Sequence, residues 1–556
     1  MKEKDVLIPI GKDEIIKARQ TLMRYKSDKV NLEKKIVANE DWWKLRHWEQ
    51  LRTDPKEYNP ASAWLWNVIV SKHADAMDSF PEPNLLPRSE DDRLEAKKLS
   101  SVIPVILEQN DFERVYSELQ WYKLKQGTGV YGIFWDCEKN RGLGDISIQK
   151  VDVLSLFWES GINDIQKSKN LFYVTLCDRD ELKESYGISD EDIGTADVDL
   201  AKYRYDDSVD TAGKATVVDW YYRKGGVLHY CKFTGNTLLF ATENQPELYP
   251  NGWYDHGLYP FVFDTLFSIE GTPCGYGYID IGKDAQTQID MLNHSIINNA
   301  MLASRPRYFI RGDGAVNEEE FADWTKDFVH TNGNLGRDSI QQIDVSPVNP
   351  IYVTLLNNKI DELKETSGNR DANNGGTASG VTAASAIAAM QEAGGKLSRD
   401  SSRGSYIAYK QMILQCIELI RQFYDMPRSF RISGEMGRVE FTSYCNRELL
   451  PRYQGECFGV DMGYRTPVFD IEVSPQRSNP YSKMSQNELA LQFYNLGFFD
   501  PQRAEAALGC LKMMDFAGKE AVMQRISERA DAISVPVSPK GRVSLSPPVP
   551  AEGVIP

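Results

Sequence analysis

The sequence predicts an α+β protein, mainly helical, built from several regions. Three observations carry that expectation. At 556 residues the chain is too long for a single hydrophobic core. Apolar residues make up 41% and charged residues 26%, ordinary values for a folded chain, which argues against disorder along its whole length. Helical and β-like patterns also follow one another in blocks.

Residues 1 to about 60 are polar and helical in pattern. They carry an aromatic group at Trp42, Trp43 and Trp48, followed by Trp64 and Trp66, best explained as core packing. From Ser89 to Gln126 apolar residues recur at helical spacing: Val102, Ile106, Phe112, Val115, Tyr116, Leu119 and Tyr122. Gly127-Thr128-Gly129 ends that pattern. Alternating apolar and β-prone residues follow from Val130 to Trp135, and strand-like runs continue to about 270, as in 171–176 and 216–222. A long helix is expected from Ile281 to about Ser304, with Ala285, Ile289, Leu292, Ile296 and Ala300 on one stripe and Pro306 ending it. Its length would be roughly 36 Å.

A compact insert, 308–350, begins with β-prone Tyr308–Arg311. Asn317 then leads a short helix with Phe321, Trp324 and Phe328, and Gly333, Gly336, Pro347 and Pro350 punctuate the rest. A second helix follows, with Leu356, Ile360 and Leu363. Residues 368–382 are rich in Gly, Asn and Thr and read as a flexible loop. The next helical pattern, Ala383–Met426, is interrupted at Gly394-Gly395, where a kink is expected. Its second half carries Ile407, Ile413, Ile417, Ile420 and Phe423. β-like segments return at 429–444 and 467–473. Helices are expected from Ser485, with Glu488 three residues on, and from Asp500-Pro501. The Pro-rich end, 534–556, is expected to be extended and mobile.

Bulk chemistry narrows the function. The net charge is −16, the opposite of the basic face of a protein that grips DNA. The charged start, Met1–Asp5, does not read as a signal peptide. No run of about 18 apolar residues suggests a membrane span. The 8 cysteines are scattered without a CxxC pair and read as free thiols. The 6 histidines form no HExxH or Cys/His cluster, so neither a metal nor a cofactor is expected.

The order of elements resembles that of tailed-bacteriophage portal proteins, the head-tail connector portal family. Three stretches strengthen the likeness. Asn110–Glu113 through Gly127–Asp136 resembles the family's helix into a glycine turn and strand. Gln286–Asn293 resembles the start of its stem helix, and Thr377–Ser385 its tunnel loop entering the tunnel helix. The likeness spans roughly residues 60–530. It implies a wing over 1–280, stem helix 1 over 281–307, a clip over 308–350 and stem helix 2 over 351–368. A tunnel loop over 369–382, a kinked tunnel helix over 383–426, the returning wing over 427–478, a crown over 479–533 and a flexible tail over 534–556 complete it. No long heptad pattern supports an extended C-terminal helical barrel.

The resemblance also implies a function that is not enzymatic. About twelve copies would form a ring at one capsid vertex of the virion, assembled in the host cytoplasm. Double-stranded DNA would be packaged and ejected through the central channel, independent of its sequence. Implied partners are the terminase large subunit, a head-tail adaptor, and the major capsid and scaffolding proteins, with no membrane. Acidic walls suit such a conduit, because fixed cations would hold phosphate by counterion release, although an ordinary acidic surface has the same charge. The expected channel contacts are Asn369, Arg370, Asn373, Asn374, Gly375, Gly376 and Thr377, with Gly394 and Gly395 as the helix kink. The alternative for the loop is a surface linker. Glu318, Glu319, Glu320 and Trp324 are the expected docking residues for motor or adaptor. The three acids equally suit a first helical turn after an Asn N-cap. The two stem helices have stripes too narrow to be buried within one subunit, so each is expected to pack on a neighbour.

Other classes of function leave fewer traces in the sequence. Gly127–Gly132 spells GxGxxG, but the helix precedes it and the strand follows, the reverse of a dinucleotide site. No GxxxxGK[ST] occurs, which argues against the packaging motor itself. A carboxylate-dependent hydrolase or nuclease remains open, since many Asp and Glu residues could contain a catalytic pair. So does another virion structural protein.

Overall fold

The computed structural model describes residues 9–49, 60–193, 213–304, 307–310, 317–323, 325, 327–331, 340–343, 349–369, 396–433, 439–457, 460–461, 463–475, 491–497, 504–512, 522–523 and 526. The chain divides into two units, Met1–Gln476 and Arg477–Pro556. The expected helix starts at Ser485 and Asp500 and the tail 534–556 lie outside the described residues.

In the first unit, α1 (Lys12–Trp43) buries Ile15, Ala18, Leu22, Tyr25 and Ile36 along one stripe. Next come α2 (Trp64–Asp78), β1 (Pro81–Pro87), α3 (Arg93–Gln109) and α4 (Phe112–Gln126). The helical spacing over 89–126 thus resolves into two helices. Asp111 between them is left-handed, with φ 51°. The break is held by the Asn110 side chain, whose Oδ1 accepts from Lys139 Nζ at 2.8 Å and from the Ile148 amide at 3.1 Å.

The strands β2 (Thr128–Asp136), β3 (Asp145–Val151), β4 (Leu156–Trp158) and β5 (Asn170–Asp178) precede α5 (Arg179–Tyr186). β6 (Lys214–Lys224), β7 (Val227–Thr234), β8 (Thr237–Ala241) and β9 (Phe261–Thr265) follow. They form a three-stranded sheet, β3-β2-β9, and a five-stranded meander, β4-β5-β6-β7-β8. The N-terminal half of α1 covers the meander, packing Ile15, Leu22 and Tyr25 with Phe157, Phe172 and Phe233.

A hairpin, β10 (Phe267–Ser268) with β11 (Gly275–Tyr276), leads into α6 (Tyr278–Ser304). Next come β12 (Arg307–Ile310), α7 (Glu318–Ala322), β13 (Ile340–Ile343), α8 (Pro350–Ser367) and α9 (Lys396–Phe423). The hairpin β14 (Arg428–Ser433) and β15 (Val439–Tyr444) follows, and β16 (Phe469–Pro475) closes the unit. The main core gathers Leu99, Ile103, Leu119, Ile133, Ile148, Met412 and Ile420 from α3, α4, β2, β3 and α9. Within α9, Ile413, Ile417 and Ile420 are buried as expected, but Ile407 is 61% exposed. The buried stripe runs instead through Ala408, Tyr409, Met412 and Cys416.

β1 and β16 pair antiparallel, with Leu85 opposite Ile471. The Leu85 amide donates to Ser100 Oγ at 3.0 Å, so the odd positions of β1 turn their amides away from β16. Those positions otherwise hold Pro81, Pro83 and Pro87, which have no N–H to offer a further strand.

The second unit contains α10 (Ala504–Lys512) and a small core of Phe493, Leu511 and Ile526.

Candidate functional site

The glycines of 127–132 are spacing residues. Gly127 ends α4 with φ 90°, and a Cβ there would lie 2.4 Å from the Tyr276 backbone carbon. A Cβ on Gly129 would strike Leu119 at 2.5 Å, and one on Gly132 would strike Phe134 at 2.5 Å. Gly277 needs the same clearance, 2.3 Å from the Lys125 carbonyl oxygen. These contacts press the turn after α4 against the start of α6, fixing where the long helix leaves the body.

The first turns of α6 are rooted in the body. Tyr278, Ile279 and Ile289 pack with Leu65, Val68, Ile69, Leu124 and Leu363. The buried Asp290 carboxylate accepts from the Ser62 amide (2.9 Å) and hydroxyl (2.6 Å), Gln286 Nε2 (2.8 Å) and Trp48 Nε1 (3.0 Å), and lies 3.0 Å from His47 Nε2. Beyond Asp290 no residue of α6 is buried. Met291, Ile297, Met301 and Leu302 are exposed, as are Ile351, Tyr352, Val353 and Leu355 on the returning α8. The far half of the α6–α8 pair therefore carries apolar side chains that its own chain leaves uncovered.

At that far end β12 pairs with β13, Tyr308 opposite Gln342. Asn317 caps α7, its Oδ1 accepting from the Glu320 amide at 3.3 Å. Of the three acids expected to dock a partner, Glu318 and Glu319 face solvent. Glu320 is engaged within the insert: its carboxylate accepts from the His330 amide at 2.8 Å and lies 2.9 Å from His330 Nδ1. Phe309 and Phe328 are 64% and 78% exposed. Trp324 lies outside the described residues.

The loop between α8 and α9 is described only at its two ends. Arg370, Asn373, Asn374, Gly375, Gly376, Thr377, Gly394 and Gly395 lie outside the described residues. Asn369 is described. It is 3% exposed, its amide donates to the Lys364 carbonyl at 3.0 Å, and its Oδ1 accepts from Ser71 Oγ at 3.1 Å. Within the subunit its side chain is tied to α2.

The far side of the loop begins with a polar half-helix. Ser398 bonds Lys72 and Asp75, Ser402 lies 3.4 Å from Ser79, and Tyr406 donates to the Ser79 carbonyl at 2.9 Å. Ser405 meets a fully buried ion pair: Lys123 Nζ lies 2.7 Å from Asp264 and 2.7 Å from Ser405 Oγ. From Ala408 onward α9 also buries an apolar stripe, with Gln415 and Arg421 adding hydrogen bonds to the carbonyls of Tyr259, Leu449 and Pro467. Hydrogen bonds hold the first turns, and hydrophobic burial joins them after.

Sequence reading missed Lys72, Lys123 and Asp290. Lys123 left a trace: it falls four residues after Leu119 on the buried stripe of α4, where the periodicity asks for an apolar residue. Lys72 and Asp290 left none, because the partners that define their roles, Gly368 and Ser398 for one and His47, Trp48 and Ser62 for the other, lie far away in sequence.

The chain matches the phage P22-like portal protein family over residues 75–537. It belongs to that family. No curated protein matches it. The family is of a structural, non-enzymatic kind, and membership implies a component of the virion capsid. As a portal protein it extends N-terminally of the matched region, since α1 and the start of α2 precede residue 75. Among the described residues no helix is long and apolar enough to cross a membrane. No group of three or more His, Cys, Asp or Glu there could hold a metal ion.

Proposed function

We propose that this portal protein closes into a ring of about twelve copies at one capsid vertex, and that double-stranded DNA passes through its centre during packaging and ejection. The observation that carries the reading is the uncovered apolar surface of the α6–α8 pair. A lone subunit would expose Met291, Ile297, Met301, Ile351, Val353 and Leu355 together, an arrangement typical of surfaces that meet other chains. The same surface on every copy, packed head to tail, closes into a ring. In this reading α6 and α8 are the stem, 308–350 is the clip, and 396–423 belongs to the tunnel helix, with its kink at Gly394-Gly395.

The clip docks the terminase large subunit and the head-tail adaptor. Glu318, Glu319, Trp324 and the exposed Phe309 and Phe328 are the residues for that contact. The loop segment Arg370–Thr377 touches phosphates transiently, and the net charge of −16 keeps the passage from retaining DNA. Capsid and scaffolding proteins complete the vertex.

End-on electron microscopy of the purified protein tests the reading. Rings with a central channel and about twelvefold symmetry are expected. A monomer that persists at high concentration, also with capsid and scaffolding proteins added, overturns it. Deleting Asn373–Thr377 tests the loop separately, and normal packaging with normal DNA retention would remove its assigned role.

A further inference from the structure

We propose that Lys72 is a positioning residue that clasps the two flanks of the segment 370–395, which carries the channel loop, and so sets where that segment is anchored. The proposal rests on reading 370–382 as the channel-facing loop. Lys72 sits on α2, 4% exposed. Its ammonium donates to Ser398 Oγ at 2.9 Å, on the first turns of α9. It also reaches the Gly368 carbonyl at 3.5 Å, at the end of α8. Asp75, one turn further along α2, lies 3.8 Å from the ammonium and accepts from Ser398 Oγ at 2.7 Å. Ser71, beside Lys72, holds Asn369. One turn of α2 therefore grips the last residues before the segment 370–395 and the first turns after it.

The loop ends also touch directly. A Cβ added to Gly368 would lie 2.6 Å from Leu397 Cδ1, so the excursion from 370 to 395 starts and finishes at one place.

A lysine is an expensive choice for simple packing here. Burial disfavours the ammonium and lowers its pKa, with Asp75 opposing the shift. An apolar side chain would fill the space at less cost, but it could not bond a helix-ending carbonyl and a serine on the next helix at once. The neighbouring contacts have the same character. Ser402 and Tyr406 meet Ser79 through hydrogen bonds, whereas α9 from Ala408 on adds a buried apolar stripe through Tyr409, Met412, Ile413 and Cys416. Polar attachment can re-form in a shifted register with water as the intermediate partner, which close apolar packing does not allow. The clasp thus lies at the end of α9 that has the lesser apolar packing.

The test uses the full chain with Lys72→Met, which removes the charge and keeps most of the stem, and Ser398→Ala, which leaves the Lys72–Asp75 pair intact if the first variant folds poorly. Hydrogen exchange is followed by mass spectrometry. Exchange at 396–402 and 367–369 is expected to rise about tenfold, with 412–420 unchanged and rings still forming. Unchanged exchange in both variants overturns the clasp. So does equal acceleration along the whole of α9, which would make Lys72 a general stability residue.

A second arm measures DNA retention in assembled particles. Lys72→Met is expected to impair retention when the loop is intact and to add nothing when Asn373–Thr377 is deleted. If the deletion impairs retention and Lys72→Met does not, the clasp fails and the loop reading stands. If neither matters, the loop reading fails and takes the clasp's role with it.

Discussion

Buried charges are the residues on which this fold most depends. Lys123 and Asp264 are fully buried and 2.7 Å apart, with Ser405 completing the set. Removing one partner leaves the other charge stranded in a medium that cannot solvate it. Asp264→Ala is therefore expected to lower stability by about 3–5 kcal/mol, whereas the double change Lys123→Met with Asp264→Leu should cost much less. Chemical denaturation of both variants checks this, and equal losses would show that the pair itself is stabilising. Lys29 gives a pH signature. Its ammonium donates to the carbonyls of Val153 and Leu156 and lies over the Phe157 and Trp158 rings. Burial pushes it down to about 8 from 10.5. Between those values the unfolded chain holds the proton that the folded chain has lost, so folding grows more favourable as pH rises. The wild type should gain stability relative to Lys29→Met between pH 8 and 10.5, by up to ~3 kcal/mol. Below pH 8 their difference should be flat. Denaturation midpoints across that range decide the matter, and a difference that falls with rising pH would contradict it.

Among the elements, α6 and α8 show how one helix can serve two surroundings. The root of α6 is buried and tied through Asp290, while its distal half exposes apolar residues at the spacing of a packing face. Replacing Ile351, Val353 and Leu355 together by serine should block assembly without unfolding the subunit, because those side chains are already exposed. Sedimentation should then report monomers, and thermal melting of the subunit should change little. A variant that still forms rings would move the interface elsewhere. At the root, the clearance of Gly277 is a matter of backbone against backbone. Gly277→Ala should cost ~2–3 kcal/mol, since neither the Lys125 carbonyl nor the Gly127 amide can move aside alone.

For the whole molecule, the excess of acids bears on DNA. A ring that conducts a polyanion must not hold it. Purified rings should bind duplex DNA weakly, with little change between about 0.05 and 0.2 M salt, where a protein making several phosphate contacts would lose orders of magnitude. Filter binding at both salt concentrations tests this, and tight, steeply salt-dependent binding would place cations on the channel wall. Distant parts of the first unit are joined by β1 and β16, with Arg88 and Asp470, 382 residues apart, paired at 2.7 Å. Folding of that unit therefore waits on a contact of very large sequence separation, which slows its formation.

What the sequence determined by itself is local. The helix end at Gly127, the Asn317 cap and the proline that starts α8 are each specified within a few residues, by dihedral limits and hydrogen-bond capping. The likeness to portal proteins, drawn from the order of such elements, agrees with the family match over 75–537. The tertiary structure decided the rest. It split 89–126 into two helices through a side chain bonded to β3, turned Ile407 outward, and buried Asn369 against α2 although its surroundings in sequence are a polar loop. It also paired Lys123 with Asp264 and gave Lys72 its partners at both ends of the loop. Charged and polar side chains take their roles from whatever the folded chain brings within hydrogen-bond reach, and no periodicity in the sequence encodes a partner hundreds of residues away.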